Sequence, residues 1–304
     1  MKIVVSDSEG RFIFEEAPTP QPDGRAVLVR VLATSLNPRD LRMARLRAGY
    51  RCGMDFVGVV EHAAGRSGPQ AGARVAGILP AGAWAEVLAV PQSGLALVPD
   101  GVEPPQAAVL PSAGLTALYT LARGGELLGR KVLVTAAAGG VGRVACRLAH
   151  LAGAEVTASA RAPQKIADLA DVVHAVVGGD PAEAKAHGPF DLILESVGGD
   201  SLAAAAKLLA PGGTCVVFGA TSGAPTTLDA AELYQNSRTL AGFALFVELN
   251  AKPVADGLPR LLRLVADGRL PMPIAQVRSW REANEAAAEM ASGAVTGKIV
   301  LELD

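Results

Sequence analysis

Over the first hundred residues the apolar positions come in short runs broken by Gly, Pro and Asp, the pattern of strands joined by tight turns. Residues 2–5 and 11–15 read as a hairpin, 26–32 as a strong strand, and 56–61, 74–79 and 84–90 as further strands. The period lengthens over 103–123, where Pro104 and Pro105 open one helix and Leu115, Leu118 and Leu121 give a second its apolar face. Beyond 131 strand and helix signals alternate. Residues 131–135 are a short apolar run, Val144, Leu148 and Leu151 recur at helical spacing, and 155–159 opens the next strand. A helix is expected near 163–170, with strands near 172–177 and 191–195. An alanine-rich helix follows over 201–210, which Pro211, Gly212 and Gly213 should stop, and then a strand over 214–218. Residues 239–245 suggest another strand, 254–267 an amphipathic helix, 274–277 a strand, 281–290 a helix and 297–303 a last strand. This order predicts an all-β, barrel-like module over 1–108 followed by a doubly wound parallel sheet over 109–253.

The residues between the strand at 131–135 and its helix are all small up to Val141. Gly139 and Gly142 occupy the second and third glycine positions of G-x-G-x-x-G, with Ala137 at the first. A side chain at position 139 would keep a pyrophosphate off the backbone N–H groups, and one at 142 would force helix and strand apart. The helix that starts there offers unpaired N–H groups and the positive end of its dipole to an anion. Ala138, Gly139, Gly140, Val141 and Gly142 are therefore the candidate dinucleotide cradle. The competing reading is a glycine-rich packing turn in a non-binding α/β domain.

The second strand bears on which dinucleotide. An NAD site places Asp or Glu about 20 residues past the glycines, on the ribose hydroxyls. Here that place holds Ser159 and Arg161, with Lys165 one turn on and no carboxylate. A hydroxyl and two cations suit a 2′-phosphate, so NADPH is the expected cofactor. The alternative is a solvated helix start, although cations are disfavoured beside a helix N-terminus.

Composition narrows the rest. Half the residues are hydrophobic and 19% are charged, which describes a well-packed globular chain. The net charge of −2 supplies no basic field for nucleic acid and no polybasic membrane patch. No apolar run suggests a leader or a membrane span, and the three scattered cysteines suggest reduced thiols, so a cytoplasmic location is expected.

Several stretches then carry a resemblance over essentially the whole length: NPRD at 37–40, GMDFVGVV at 53–60, LPSAGLTAL at 110–118, AAAGGVG at 136–142, ESVGG at 195–199 and the terminal GKIVL. The chain resembles the medium-chain dehydrogenase/reductases, in particular their zinc-free quinone oxidoreductase branch. The resemblance implies an α/β chain with a GroES-like β-barrel catalytic domain over 1–108, completed by 254–304, and a Rossmann domain over 109–253. It implies a cleft between them, with Asn37 and Thr116 toward the nicotinamide. Val197, Gly219 and Phe243 would lie along the cofactor's ribose and nicotinamide. A homodimer is expected. The zinc-dependent members carry Cys near the position of Asn37 and Gly-His-Glu where this chain has Gly53, Met54 and Asp55, so no metal is expected. His62, His150, His174 and His187 show no ligand-like spacing.

Asn37 and Tyr50 are the candidate catalytic residues, Tyr50 as a proton donor of the kind used by related enoyl reductases. Asp40 and Asp55 read better as groups that fix the loop than as acids. Arg42, Arg45, Arg47 and Arg51 are either solvated or meet an anionic substrate such as a thioester. The expected activity is NADPH-dependent hydride transfer to a quinone or an activated C=C of a small molecule. A trans-acting enoyl-thioester reductase or tailoring enzyme of a biosynthetic pathway, and a non-catalytic NADPH-binding protein, are the alternatives.

Overall fold

The computed structural model describes residues 1–66 and 68–304. Its elements begin with strands β1 (Lys2–Ser6), β2 (Phe12–Glu16) and β3 (Ala26–Ser35), helix α1 (Pro38–Leu46), and strands β4 (Asp55–His62), β5 (Arg74–Ile78), β6 (Val87–Pro91) and β7 (Leu95–Leu97). Helices α2 (Pro104–Val109) and α3 (Leu115–Leu121) follow, then β8 (Lys131–Val134), α4 (Gly140–Leu151), β9 (Glu155–Ser159), β10 (Ala175–Val177) and β11 (Phe190–Glu195). The remainder is α5 (Gly199–Lys207), β12 (Leu209–Val217), α6 (Ala230–Gln235), β13 (Thr239–Gly242), α7 (Leu245–Glu248), α8 (Val254–Ala266), β14 (Ile274–Ser279), α9 (Ala283–Ser292) and β15 (Lys298–Glu302).

Contacts divide the chain into two units, Met1–Leu115 with Leu249–Asp304, and Thr116–Glu248. The first unit is built on a seven-stranded sheet in the order β14-β15-β3-β4-β5-β7, with β6 paired to β3. Val27, Val29 and Val31 of β3 are buried with Phe56, Val60, Val75 and Leu88. Each such side chain contributes about 1.5–3 kcal/mol of transfer free energy. A second cluster joins Leu36, Tyr50, Cys52 and Trp84 to Trp280, Ile299 and Leu301 from the end of the chain.

In the second unit the six-stranded sheet runs β10-β9-β8-β11-β12-β13, with every described pairing parallel. The first strand of the unit, β8, lies in mid-sheet, and the order reverses between β8 and β11. Ligands of doubly wound sheets bind outside the carboxyl ends of the strands at such a reversal. Two glycine turns meet there, one after β8 and one after β11.

Several elements depart from the sequence expectation, which held no counterpart of β7, α6 or α7. Helix α1 was not foreseen, yet Asn37 is its N-cap, Pro38 its first residue and Asp40 its N3 residue, a start signature in its own right. The alanine-rich helix ends at Lys207, and Pro211, Gly212 and Gly213 lie inside β12 as an irregularity. Pairing with β11 shifts from Leu209 to Thr214 across them, so the strand foreseen at 214–218 is the regularly paired part, ending at Val217. The helix near 163–170 is a 3₁₀ segment, Pro163–Leu169, broken at Ile166 (φ −119°, ψ 22°). The strand near 172–177 shrinks to Ala175–Val177.

Candidate functional site

The glycine turn forms where the sequence places it, between β8 and α4. Gly139 is the N-cap of α4 and carries no side-chain acceptor, which leaves the first-turn N–H groups for an anion. The two glycines differ in what surrounds them. A Cβ at Gly142 would sit 2.7 Å from both Ala136 O and Ala137 Cα, so the helix closes on the turn only without one. A Cβ at Gly139 would meet Ala136 O at 3.3 Å and nothing else within 4 Å, which leaves open space for a ligand. Ala136 takes the left-handed conformation, φ 48°, to make the turn. Ala137 N–H donates to Ser159 O at 2.9 Å and ties the turn to β9.

Ser159 is buried, and its hydroxyl donates to Gly178 O at 2.7 Å. That hydroxyl would have to break this bond to reach a phosphate. Arg161 is exposed and Lys165 half-buried on the segment that follows. Across the switch point, the buried Glu195 accepts from the N–H groups of Val197 (3.0 Å) and Gly198 (2.9 Å) and from the Ser201 hydroxyl (2.9 Å). It thereby fixes the ESVGG turn. A Cβ at Gly219 would press on Ser196 O at 2.8 Å, so these two turns pack backbone to backbone. Phe243 is half-buried just past β13 and donates its N–H to Val217 O at 2.9 Å. Thr116 is half-buried and its carbonyl accepts from the Thr120 hydroxyl.

The first unit holds a second constellation that local sequence did not reveal. Asp55 is fully buried; its Oδ2 accepts from Ser35 Oγ (2.5 Å) and Asn37 Nδ2 (3.0 Å), and its Oδ1 from the Ser112 N–H (2.8 Å). The Ser112 hydroxyl lies 2.6 Å from Asp55 Oδ2 and 2.9 Å from Asn37 Oδ1 and can give its proton to either. Ser112 belongs to a π-helical turn, Leu110–Gly114, between α2 and α3. Pro111 has no N–H to give to the preceding turn, and the widened turn leaves the Ser112 N–H to Asp55. Lys298, only 4% exposed, donates to Leu36 O (2.8 Å) and Asn37 Oδ1 (2.5 Å) and stands 4.0 Å from Asp55 Oδ2.

Asn37 is thus used at every side-chain polar atom. Its amide N–H groups go to Asp55 and to Ser35 O (3.2 Å), and its oxygen to Lys298 and Ser112. A lysine can only donate, so Lys298 fixes which way the amide faces. The Asn37 backbone N–H donates to Asp40 Oδ2 at 2.9 Å, while Asp40 Oδ1 is buried with no hydrogen-bond partner among the described residues. Burial, with the nearby Asp55 charge adding, pushes the Asp40 carboxyl up to about 7 against the pull of the Asn37 N–H and Lys298. Burial draws the Lys298 ammonium below its usual range, opposed by Asp55 and Asp40.

Tyr50 packs in the cluster with Leu36 and Trp84, and its hydroxyl lies 3.5 Å from Arg39 Nη1. Burial raises the phenol above its usual range, with Arg39 acting the other way. Among the described residues no three His, Cys, Asp or Glu side chains gather as a metal-ligand set. The thiols of Cys52, Cys146 and Cys215 are each pushed up to about 12, chiefly by burial, so none offers a thiolate at neutral pH. No helix among the described residues is long and apolar enough to cross a membrane.

Comparison with known proteins places this geometry. The alcohol dehydrogenase GroES-like domain model matches residues 23–100, and the zinc-binding dehydrogenase model matches 163–301. The quinone oxidoreductase of Thermus thermophilus, whose structure was solved alone and with NADPH, superposes with a TM-score of 0.81 at 31% identity over all of both chains. A chloroplast envelope quinone oxidoreductase homolog of Arabidopsis thaliana is 29% identical over 310 residues, covering 94% of this chain and 92% of that protein. The spectinabilin polyketide synthase system protein NorB of Streptomyces orinoci is 36% identical over 303 residues, and there the match spans 95% of this chain but 14% of that protein. The chain belongs to the medium-chain dehydrogenase/reductase family and is an oxidoreductase of its quinone oxidoreductase-like branch.

Proposed function

We propose that this oxidoreductase uses NADPH, without a metal, to reduce quinones or C=C bonds conjugated to a carbonyl. The observation that carries the reading is the closed network around Asp55. Where zinc-dependent members have ligands, this chain has Asn37, Met54 and Asp55, and both polar groups are engaged with Lys298, Ser35 and Ser112. Residues held in this way do not fit a zinc ion. With no Lewis acid to polarise a simple ketone or acidify an alcohol, substrates that accept hydride readily and delocalise the resulting charge are favoured.

The cofactor residues fit the dinucleotide. Gly139, Gly140 and Val141 would hold the pyrophosphate at the helix N-terminus with Ala138 and Gly142 shaping the turn, and Arg161 and Lys165 the 2′-phosphate. Thr116, Val197, Gly219 and Phe243 would line the rest. NADPH, when bound there, would supply the hydride for the electrophilic carbon of the substrate. Tyr50 or water returns the proton that completes the reduction. Asn37, with its amide already committed, acts by fixing the position of the loop it caps.

The test is NADPH oxidation with a quinone, an enone, an enoyl thioester and a simple alcohol with NADP. Turnover on the first two supports the proposal, and robust alcohol oxidation with inert enones and quinones rejects it. Arg161→Ala should weaken NADPH by about 1.5–3 kcal/mol, the range for hydrogen bonds to charged groups, and leave NADH nearly unmoved.

A second reading is reduction of an enoyl group carried as a thioester. It is favoured by the likeness to polyketide synthases and by the exposed Arg42, Arg45, Arg47 and Arg51 on α1 and the loop after it. Preferential turnover of the thioester would select it.

A further inference from the structure

Arg143 is a cation buried in the first turn of α4, 6% exposed. Both facts are unfavourable by themselves, since a charge loses its hydration on burial and a helix N-terminus repels a cation. The side chain's partners must therefore offset both. Its Nε donates to Ala138 O in the glycine turn at 3.3 Å, its Nη1 to Asp168 Oδ2 at 2.5 Å, and its Nη2 to Lys165 O. Arg147, one helical turn on, adds a bond to Asp168 O at 2.9 Å.

The partners lie on the segment Pro163–Leu169, whose 3₁₀ geometry breaks at Ile166. The local bonds lie on either side of the break, Lys165 N–H to Ala162 O and Ala170 N–H to Ala167 O, and the guanidinium is bonded to the carbonyl immediately before it. One planar group thus joins the turn proposed for the pyrophosphate to the backbone of the lysine proposed for the 2′-phosphate, and Asp168 neutralises its charge.

We propose that Arg143 sets the preference for the phosphorylated cofactor without touching it, by fixing the Lys165 backbone relative to the glycine turn through the Arg143–Asp168 bridge. This rests on the reading that Arg161 and Lys165 take the 2′-phosphate. Arg143 is a positioning residue: it acts on the carbonyl of Lys165 and so on where that side chain starts from.

The experiment compares the intact protein with Arg143→Gln, Arg143→Lys and Asp168→Asn. NADPH and NADH affinities are read by fluorescence titration, and amide hydrogen exchange over residues 161–169 is followed without cofactor. Arg143→Gln should weaken NADPH by about tenfold or more, the scale of one charged hydrogen bond, with NADH changed by less than about threefold. Exchange over 161–169 should rise in the same variant. Arg143→Lys, which keeps one charged donor, should fall between the two, and it remains informative if the glutamine variant does not fold. Asp168→Asn, which keeps the shape of the bridge without its charge, should shift the cofactor ratio in the same direction by less. Equal losses for both cofactors would overturn the proposal, because the pyrophosphate is common to them. So would an unchanged NADPH:NADH ratio in Arg143→Gln, while the parent's preference for NADPH would leave the reading of Arg161 and Lys165 standing. A parent that binds both equally would instead reject that reading, and this proposal with it.

Discussion

Replacing Lys298 by Met removes the cation that the described contacts bring to Asp55 and Asn37, at similar side-chain length. Breaking one side of a buried ion pair costs about 3–5 kcal/mol, because the remaining charge stays out of water. Asp55 keeps donors from Ser35, Asn37 and Ser112, which places the expected loss near the lower bound, about 3 kcal/mol. Leu36 O also loses its ammonium partner, a further cost of about 1 kcal/mol. In a unit of this size a combined loss of about 4 kcal/mol lowers the thermal midpoint by about 8–16 °C, read by calorimetry or circular dichroism. Adding Asp55→Asn should recover part of the loss, since neither charge is then stranded, and the double variant should beat the sum of the two single losses by about 1 kcal/mol or more. A midpoint for Lys298→Met within a degree of the parent, or strict additivity in the cycle, would refute the account of the network.

Three further outcomes follow from particular groups. Because the Asp40 carboxyl is raised to about 7, the folded chain holds a proton there that the unfolded chain releases near pH ~4. Stability from this group is complete below about pH 4 and is lost as pH rises toward 7, and Asp40→Asn should flatten that slope in unfolding curves taken across the range. Gly142→Ala should lose about 1–3 kcal/mol of stability by overpacking, since its Cβ meets backbone at 2.7 Å, whereas Gly139→Ala should unfold near the parent temperature and lose cofactor affinity in titration. Tyr50→Phe should leave cofactor affinity unchanged and, if the phenol supplies the proton, lower kcat on an enone by about a hundredfold or more; an unchanged kcat assigns that proton to water.

The nucleotide half of the molecule was legible because its information is local. A β-branched run, glycines at fixed offsets and a helical stripe all lie within residues 131–159, and strand, turn and helix formed where those signals stood. The other half depends on partners far apart in the chain. Lys298 meets Asn37 across 261 positions and Ser112 meets Asp55 across 57, and no periodicity reports such meetings. Helix α1 was readable from Asn37, Pro38 and Asp40, but its arginine-rich face hid the apolar stripe that would have drawn attention to it. No local sequence signal marks Arg143, and its role shows only in its bonds to the segment that breaks at Ile166. Ser159 was placed correctly at the end of β9, yet chain geometry turned its hydroxyl to Gly178.

The interrupted course of the first unit bears on how the protein is made. Residues Thr116–Glu248 are continuous, so that unit can complete its sheet while later residues are still being added by the ribosome. The first unit has no such option. Its buried Asp55 receives its lysine from β15, and Trp280, Ile299 and Leu301 must arrive before the cluster around Tyr50 closes. Until then the nascent first unit exposes apolar surface and keeps two carboxylates that favour water over burial. Closure over so long a span is slow for entropic reasons. Strand β15, made only after the whole of the second unit, is therefore the one that commits the first unit to its native form, and substitutions at Lys298 should reduce the yield of folded protein in cells more than their effect on the finished molecule would suggest.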